Sequence, residues 1–223
     1  MLKFKIEQEA RRVQVEVWSQ RDMLFSTVPP IPAVFEPRVV ARILGLEYEF
    51  RDRISAIDSR VAEAAGVLNR ERETISISTH FDYCVQRFTG GHEIGHFVLH
   101  PNIGYGIEHR DRPIFELGGY RPPHEADADY FSACLLVPRK TLIEKFEKRF
   151  GTRKPLPYTT TTGFHVGLSM KDFDTSRDRL MFAKALAKAQ SFDRQRFLSL
   201  SDFFKVSTSV LAIRLWECGL VDE

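Results

Sequence analysis

The spacing of apolar residues changes along the chain, and each change predicts an element. Residues 6–23 place Ala10, Val13, Val17 and Trp18 on one side of an amphipathic helix, which the run Val28-Pro29-Pro30-Ile31-Pro32 breaks. Residues 37–44 suit a short helix with Gly45 as its cap. Residues 46–50 alternate like a strand. Residues 61–68 and 74–79 predict an antiparallel pair around the turn Asn69-Arg70-Glu71-Arg72. A longer helix follows over residues 82–100, with Val85, Phe88, Phe97 and Leu99 as its apolar side and Pro101 as its stop.

Beyond Pro101 a connector rich in Gly, Pro and charge leads to Pro123, and within it Ile114-Phe115-Glu116-Leu117 predicts a short strand. Pro122 and Pro123 suit the start of a helix that Pro138 ends, and Ala126, Ala128, Ala133, Leu135 and Leu136 favour it. Another helix is predicted over residues 139–150. Residues 151–174 hold Pro155, Pro157 and the run Thr159-Thr160-Thr161-Thr162; they read as a long irregular segment, either a lid at the rim of a cleft or a disordered stretch. Residues 198–220 have a helix-turn-helix rhythm, with one short helix ending near Lys205 and a second capped by Ser207. Helices interleaved with a few short strands define an α+β chain.

The helix over residues 82–100 carries the candidate chemistry. His92-Glu93-Ile94-Gly95-His96 reads HExxH, and residues four apart on a helix share a face. His92 and His96 can therefore offer two imidazole nitrogens to one metal ion. Glu93 lies beside that ion, placed to take a proton from water as the general base of a zinc peptidase. His100 lies one turn further on. Three ligands stacked on one straight helix cannot converge on a tetrahedral ion, so His100 is expected to pack or to support a ligand. A strand beside such a helix would give an extended peptide an open edge to join through backbone hydrogen bonds.

A catalytic zinc needs a third protein ligand and one open position. The best source is the helix that begins at His124. Glu125 and Asp129 are four apart on one of its faces, which assigns Glu125 as the ligand and Asp129 as the acceptor that orients a ligand histidine. Asp127 points to another side of the same helix. The reaction also needs a donor for the oxyanion. Tyr130, His165, His124 and Tyr158 qualify by residue type, and the sequence does not choose among them.

Residues Arg87-Phe88-Thr89-Gly90-Gly91-His92-Glu93-Ile94-Gly95-His96-Phe97-Val98-Leu99-His100-Pro101 resemble the motif RFTxAHExGHxxLHP of the ImmA/IrrE family of metallopeptidases. The stretch from Glu125 to Pro138 resembles that family's ExEAxxFAAxLLxP helix, and Ala65 to Ile77 its β-hairpin. Three positions depart from the pattern. Gly91 and Ser132 stand where the family has alanines, and Asp127 stands where it has a glutamate. The resemblance covers roughly residues 1–150. It implies a soluble, minimal zincin fold of gluzincin type, with a small antiparallel or mixed sheet packed on the HExxH helix. It also implies proteolytic inactivation of a DNA-binding repressor, a helix-turn-helix protein often encoded beside the peptidase, in stress responses or mobile elements.

The expected organisation is a zinc metallopeptidase domain over residues 1–150, a loop or lid over 151–176, and a C-terminal helical bundle over 177–223. With 223 residues, 43% hydrophobic and 28% charged, the chain can hold one catalytic domain and a small appendage. A net charge of +2 argues neither for nor against nucleic acid. No apolar stretch approaches the length of a bilayer span, and the N-terminus lacks an apolar signal core. Cys84, Cys134 and Cys218 are widely spaced and suit reduced thiols, with packing as their expected role. These features predict a cytoplasmic enzyme without a membrane partner, its cofactor Zn²⁺ held by His92, His96 and Glu125. The alternative is a DNA- or protein-binding regulator with a sensing or structural zinc site and no proteolysis. Against it, the second C-terminal helix offers Arg214 but no Lys/Arg cluster for direct DNA reading, and a structural site has no use for Glu93.

Overall fold

The computed structural model of the chain describes residues 1–55, 63–101, 107–110, 122–169 and 178–222, and falls into two compact units, Met1–Leu136 and Val137–Glu223. The chain is α+β, with a small mixed sheet confined to the first unit.

The first unit opens with α1 (Lys3–Ser19), whose Ile6, Ala10, Val13 and Val17 recur every three or four residues and are all buried. This is the predicted stripe, with Ile6 extending it by a turn. A single turn, α2 (Arg21–Leu24), follows, so the helix ends before residue 23. The proline-rich break is itself part helical, as α3 (Ile31–Val34), and α4 (Pro37–Ile43) starts on Pro37. Gly45 then reverses the chain at φ +80°, a conformation that a side chain would strain.

Three of the four strands carry the expected pattern: β1 (Glu47–Arg51), β2 (Gly66–Asn69) and β3 (Thr74–Ser78). β2 is shorter than predicted, and residues 61 and 62 of that expectation lie outside the described residues, as does the strand expected at 114–117. β2 and β3 pair antiparallel, Leu68 opposite Ile75, as the hairpin reading requires. β1 joins the other side of β3 in parallel, Tyr48 opposite Ile75. A further strand, β4 (Ile107–Arg110), pairs antiparallel with β2, so the order is β1-β3-β2-β4. Among the described residues, the outer side of β2 is thus paired and β1 and β4 stand at the ends of the sheet. The central strand β3 is covered on both faces. Its Ile75 and Ile77 are wholly buried, and its buried serines are hydrogen bonded, Ser76 to the Glu49 carboxylate at 2.5 Å and Ser78 to the Asp52 carbonyl at 3.1 Å.

Against this sheet lies α5 (Tyr83–Leu99), and against α5 lies α6 (Pro123–Leu136). α1 packs on α6, where Gln14 donates to the carbonyls of Cys134 and Leu135 at 2.8 and 3.1 Å and so satisfies the C-terminal end of α6. α5 departs from the amphipathic expectation. Phe88 and Leu99 are buried as predicted, but so is every residue from Arg87 to His96. Two glycines make the contact with α6 close. A Cβ on Gly95 would stand 3.1 Å from the Ala128 backbone and 3.2 Å from the Phe131 ring; one on Gly91 would stand 2.5 Å from Ser132 Oγ. Each glycine costs an isolated helix about 1 kcal/mol relative to alanine, and the gain here is helix–helix approach.

The second unit holds α7 (Arg139–Phe150), α8 (Thr160–His165), α9 (Asp178–Lys188), the short pair β5 (Ser191–Phe192) and β6 (Gln195–Arg196), α10 (Leu200–Phe204) and α11 (Thr208–Glu217). The threonine run expected to be irregular begins α8, because Thr159 and Thr162 bond each other's backbone N–H in a capping box. Ser199 caps α10 and Ser207 caps α11, with Lys205 left-handed between them at φ 53°. α9 packs against both of these helices. Arg214 of α11 is not a surface group. It is 1% exposed, with Nε 3.4 Å from the Val137 carbonyl and Nη1 3.5 Å from Glu217. Among the described residues no helix is long and apolar enough to cross a membrane.

Candidate metal centre

The face of α5 that carries His92 and His96 meets the first turns of α6. His92 Nε2 and His96 Nε2 lie 2.9 Å apart. Glu125 Oε2 is 3.3 Å from the first and Glu125 Oε1 is 3.1 Å from the second. These three residues form the one group of candidate metal ligands among the described residues. A tetrahedral ion with bonds of ~2.0–2.1 Å spaces its ligand atoms about 3.3 Å apart. The two imidazole–carboxylate separations are close to that spacing and the imidazole nitrogens lie somewhat nearer each other, so this donor set could hold a small divalent metal. His92 is fully buried, whereas Glu125 is 22% exposed.

The surrounding groups set which atom each ligand presents. His92 Nδ1 lies 2.8 Å from Asp129 Oδ1, so its Nδ1–H is donated to the carboxylate and Nε2 faces the centre. In the chain without a metal, burial alone would raise the Glu125 carboxyl, and hydrogen bonds and charge from protonated His92 and His96 outweigh it and lower the group below the usual carboxylate range. Glu93 follows His92 around the helix and is 1% exposed. Asp127 faces elsewhere, 2.5 Å from the Met1 amine and 3.9 Å from His100 Nε2.

His100 is the C-cap of α5, and its ring turns back so that Nδ1 lies 3.2 Å from His96 Nδ1. Burial first, then the neighbouring His96, push its pKa down to about 4, so it is neutral at pH 7. Of the four oxyanion candidates, Tyr130 turns toward α1, where the Lys3 amine sits 4.9 Å over its ring. His124, on the first turn of α6, has Nε2 3.5 Å from Glu125 Oε1. Tyr158 and His165 belong to the second unit.

Two groups at this site were not assigned from the sequence. Arg87 is 1% exposed, its Nε bonded to Glu36 at 2.8 Å and one Nη to the Pro32 carbonyl at 3.1 Å; Tyr83 donates to the same carboxylate at 3.1 Å. It ties the start of α5 to α3 and α4, and its presence in the quoted motif was the available signal. Arg70, in the β2–β3 turn, donates to the carbonyls of His96 and His100 at 2.7 and 3.0 Å. It anchors the negative end of α5. Of the cysteines, Cys134 is buried in the core and Cys84 half-buried, and neither enters a disulfide.

A buried HExxH helix, a converging glutamate and a small sheet define a metallopeptidase-like domain. Residues 53–172 match the model of peptidase family M78, the IrrE N-terminal-like domain, and the chain belongs to that family. The match starts later and ends later than the stretch of residues 1–150 suggested by the motifs. A search of curated proteins returned no match.

Proposed function

We propose that the protein is a zinc-dependent endopeptidase of gluzincin type, with His92, His96 and Glu125 as the zinc ligands and Glu93 as the general base. The observation that carries this reading is the convergence of three ligand atoms from two helices beside a buried carboxylate. Two imidazole nitrogens and one carboxylate oxygen are the donor set of catalytic zinc. Zinc bound there would acidify a water molecule toward pKa ~7 and polarise the scissile carbonyl.

The rest of the chemistry belongs to the chain. Asp129 holds His92 in the tautomer that leaves Nε2 free of a proton. The Glu93 carboxylate takes a proton from water and passes it to the nitrogen of the departing amine. Its burial keeps bulk water from competing for that proton. His124, placed beside Glu125, serves as a donor to the carbonyl oxygen as charge develops on it.

The substrate in this reading is a protein, a helix-turn-helix repressor in a stress-response or mobile-element circuit, as the motif resemblance of the sequence implies. The rival DNA-reading role leans on Arg214, whose burial in the second unit favours a packing role instead. The test is to incubate zinc-loaded protein with helix-turn-helix repressors encoded near it and to identify products by mass spectrometry. Cleavage at a defined bond is expected, with Glu93→Gln keeping fold and metal but losing at least ~100-fold in rate. Equal cleavage by that variant would remove Glu93 from the mechanism.

A further inference from the structure

We propose that His100 is the positioning residue for His96, accepting the proton on His96 Nδ1 and so holding the tautomer that offers Nε2 to the metal. The inference rests on the metal-site reading above and extends it to the one ligand histidine whose orienting partner the sequence left unassigned.

Only one proton fits between His96 Nδ1 and His100 Nδ1, 3.2 Å apart. If His100 donated it, the His96 proton would sit on Nε2. It would then point into the centre, toward His92 Nε2 at 2.9 Å and Glu125 Oε1 at 3.1 Å, and would block a ligand atom. A metal at this centre therefore requires His96 to donate and His100 to accept. The proton of His100 is then on Nε2, an atom that is buried and has no hydrogen-bond partner among the described residues.

The backbone is built to hold this pair. His100 has left the helix, at φ −124° and ψ 52°, so its ring does not continue the ligand stack but tilts 50° to the His96 ring with centroids 5.3 Å apart. Arg70 grips the carbonyls of both residues, which fixes one imidazole relative to the other. The two ligands are thus served by unlike acceptors: a charged carboxylate for His92 and a neutral imidazole for His96.

The test uses zinc affinity by chelator competition and imidazole ¹⁵N NMR of the zinc-loaded full chain. Wild type is expected to show His96 protonated at Nδ1 and His100 Nδ1 unprotonated. His100→Phe, which keeps a ring but removes the acceptor, should weaken zinc binding by ~10–100-fold. His100→Asn, whose amide oxygen can stand near the lost Nδ1, should recover most of that loss. A proton found on His100 Nδ1 in wild type would overturn the proposal without any variant. So would a folded His100→Phe that binds zinc as tightly as wild type, and in that case the three-ligand centre itself would stand. Wild type that takes up no zinc would instead sink the metal reading on which the proposal rests.

Discussion

Ser132 Oγ occupies the space that a methyl group on Gly91 would fill: the ideal Cβ position lies 2.5 Å from the hydroxyl oxygen, which donates to the Phe88 carbonyl at 2.8 Å. Gly91 on α5 and Ser132 on α6 both stand where the motif has alanine, and their contact makes these two departures one coupled change. Gly91→Ala alone should overpack the interface and destabilise the protein by about 1–3 kcal/mol. Gly91→Ala with Ser132→Ala should recover that loss, since the methyl then replaces the hydroxyl and the helix gains alanine propensity. Urea denaturation of the four proteins measures the coupling; additive effects would mean the two positions do not share that space.

Arg87, one turn before Gly91, ties the same helix to Glu36 and Pro32. With Arg87 only 1% exposed, Arg87→Met should leave the Glu36 carboxylate without its buried partner and cost roughly 3 kcal/mol. The low end of the range applies because Glu36 is 28% exposed and water replaces part of the loss. Arg87→Lys should not rescue it, because one ammonium cannot reach both the carboxylate and the Pro32 carbonyl as the guanidinium does. Denaturation in the presence of a chelator isolates this effect from metal binding; a loss under 1 kcal/mol would contradict it.

How legible the site was in the sequence depended on how local its geometry is. His92, Glu93 and His96 share one helix and Glu125 and Asp129 another, so their faces follow from spacing, and the structure brings these residues together. The α1 stripe was readable for the same reason. The parallel pairing of β1 with β3 was not, because alternation names a strand and not its neighbour. β4 escaped notice because Ile107-Glu108-His109-Arg110 shows no alternation of apolar and polar residues. Arg70 reaches carbonyls 26 and 30 residues away, and no local pattern marks a turn arginine as the cap of a distant helix. The burial of polar α5 residues was hidden too, since Arg87 reads as a surface residue until Glu36 is seen beside it. The Thr159/Thr162 box, by contrast, was a readable helix start inside a run that looked irregular.

In the proposed mechanism His124 acts on catalysis and not on metal binding. Its ring is 38% exposed and lies beside Glu125 without being one of the three candidate ligands. His124→Ala should therefore keep full zinc occupancy and lower kcat by ~10²-fold, with little change in KM. Steady-state kinetics on a cleaved repressor, paired with metal analysis, checks this; an unchanged kcat would rule His124 out as the donor.

Elemental analysis of wild type and Glu125→Ala after gel filtration tests the central claim most directly. The account predicts one zinc per wild-type chain, lost or sharply weakened in a folded variant. Zinc retained in full by a folded Glu125→Ala, or none in wild type after zinc is supplied, would contradict a centre built from His92, His96 and Glu125.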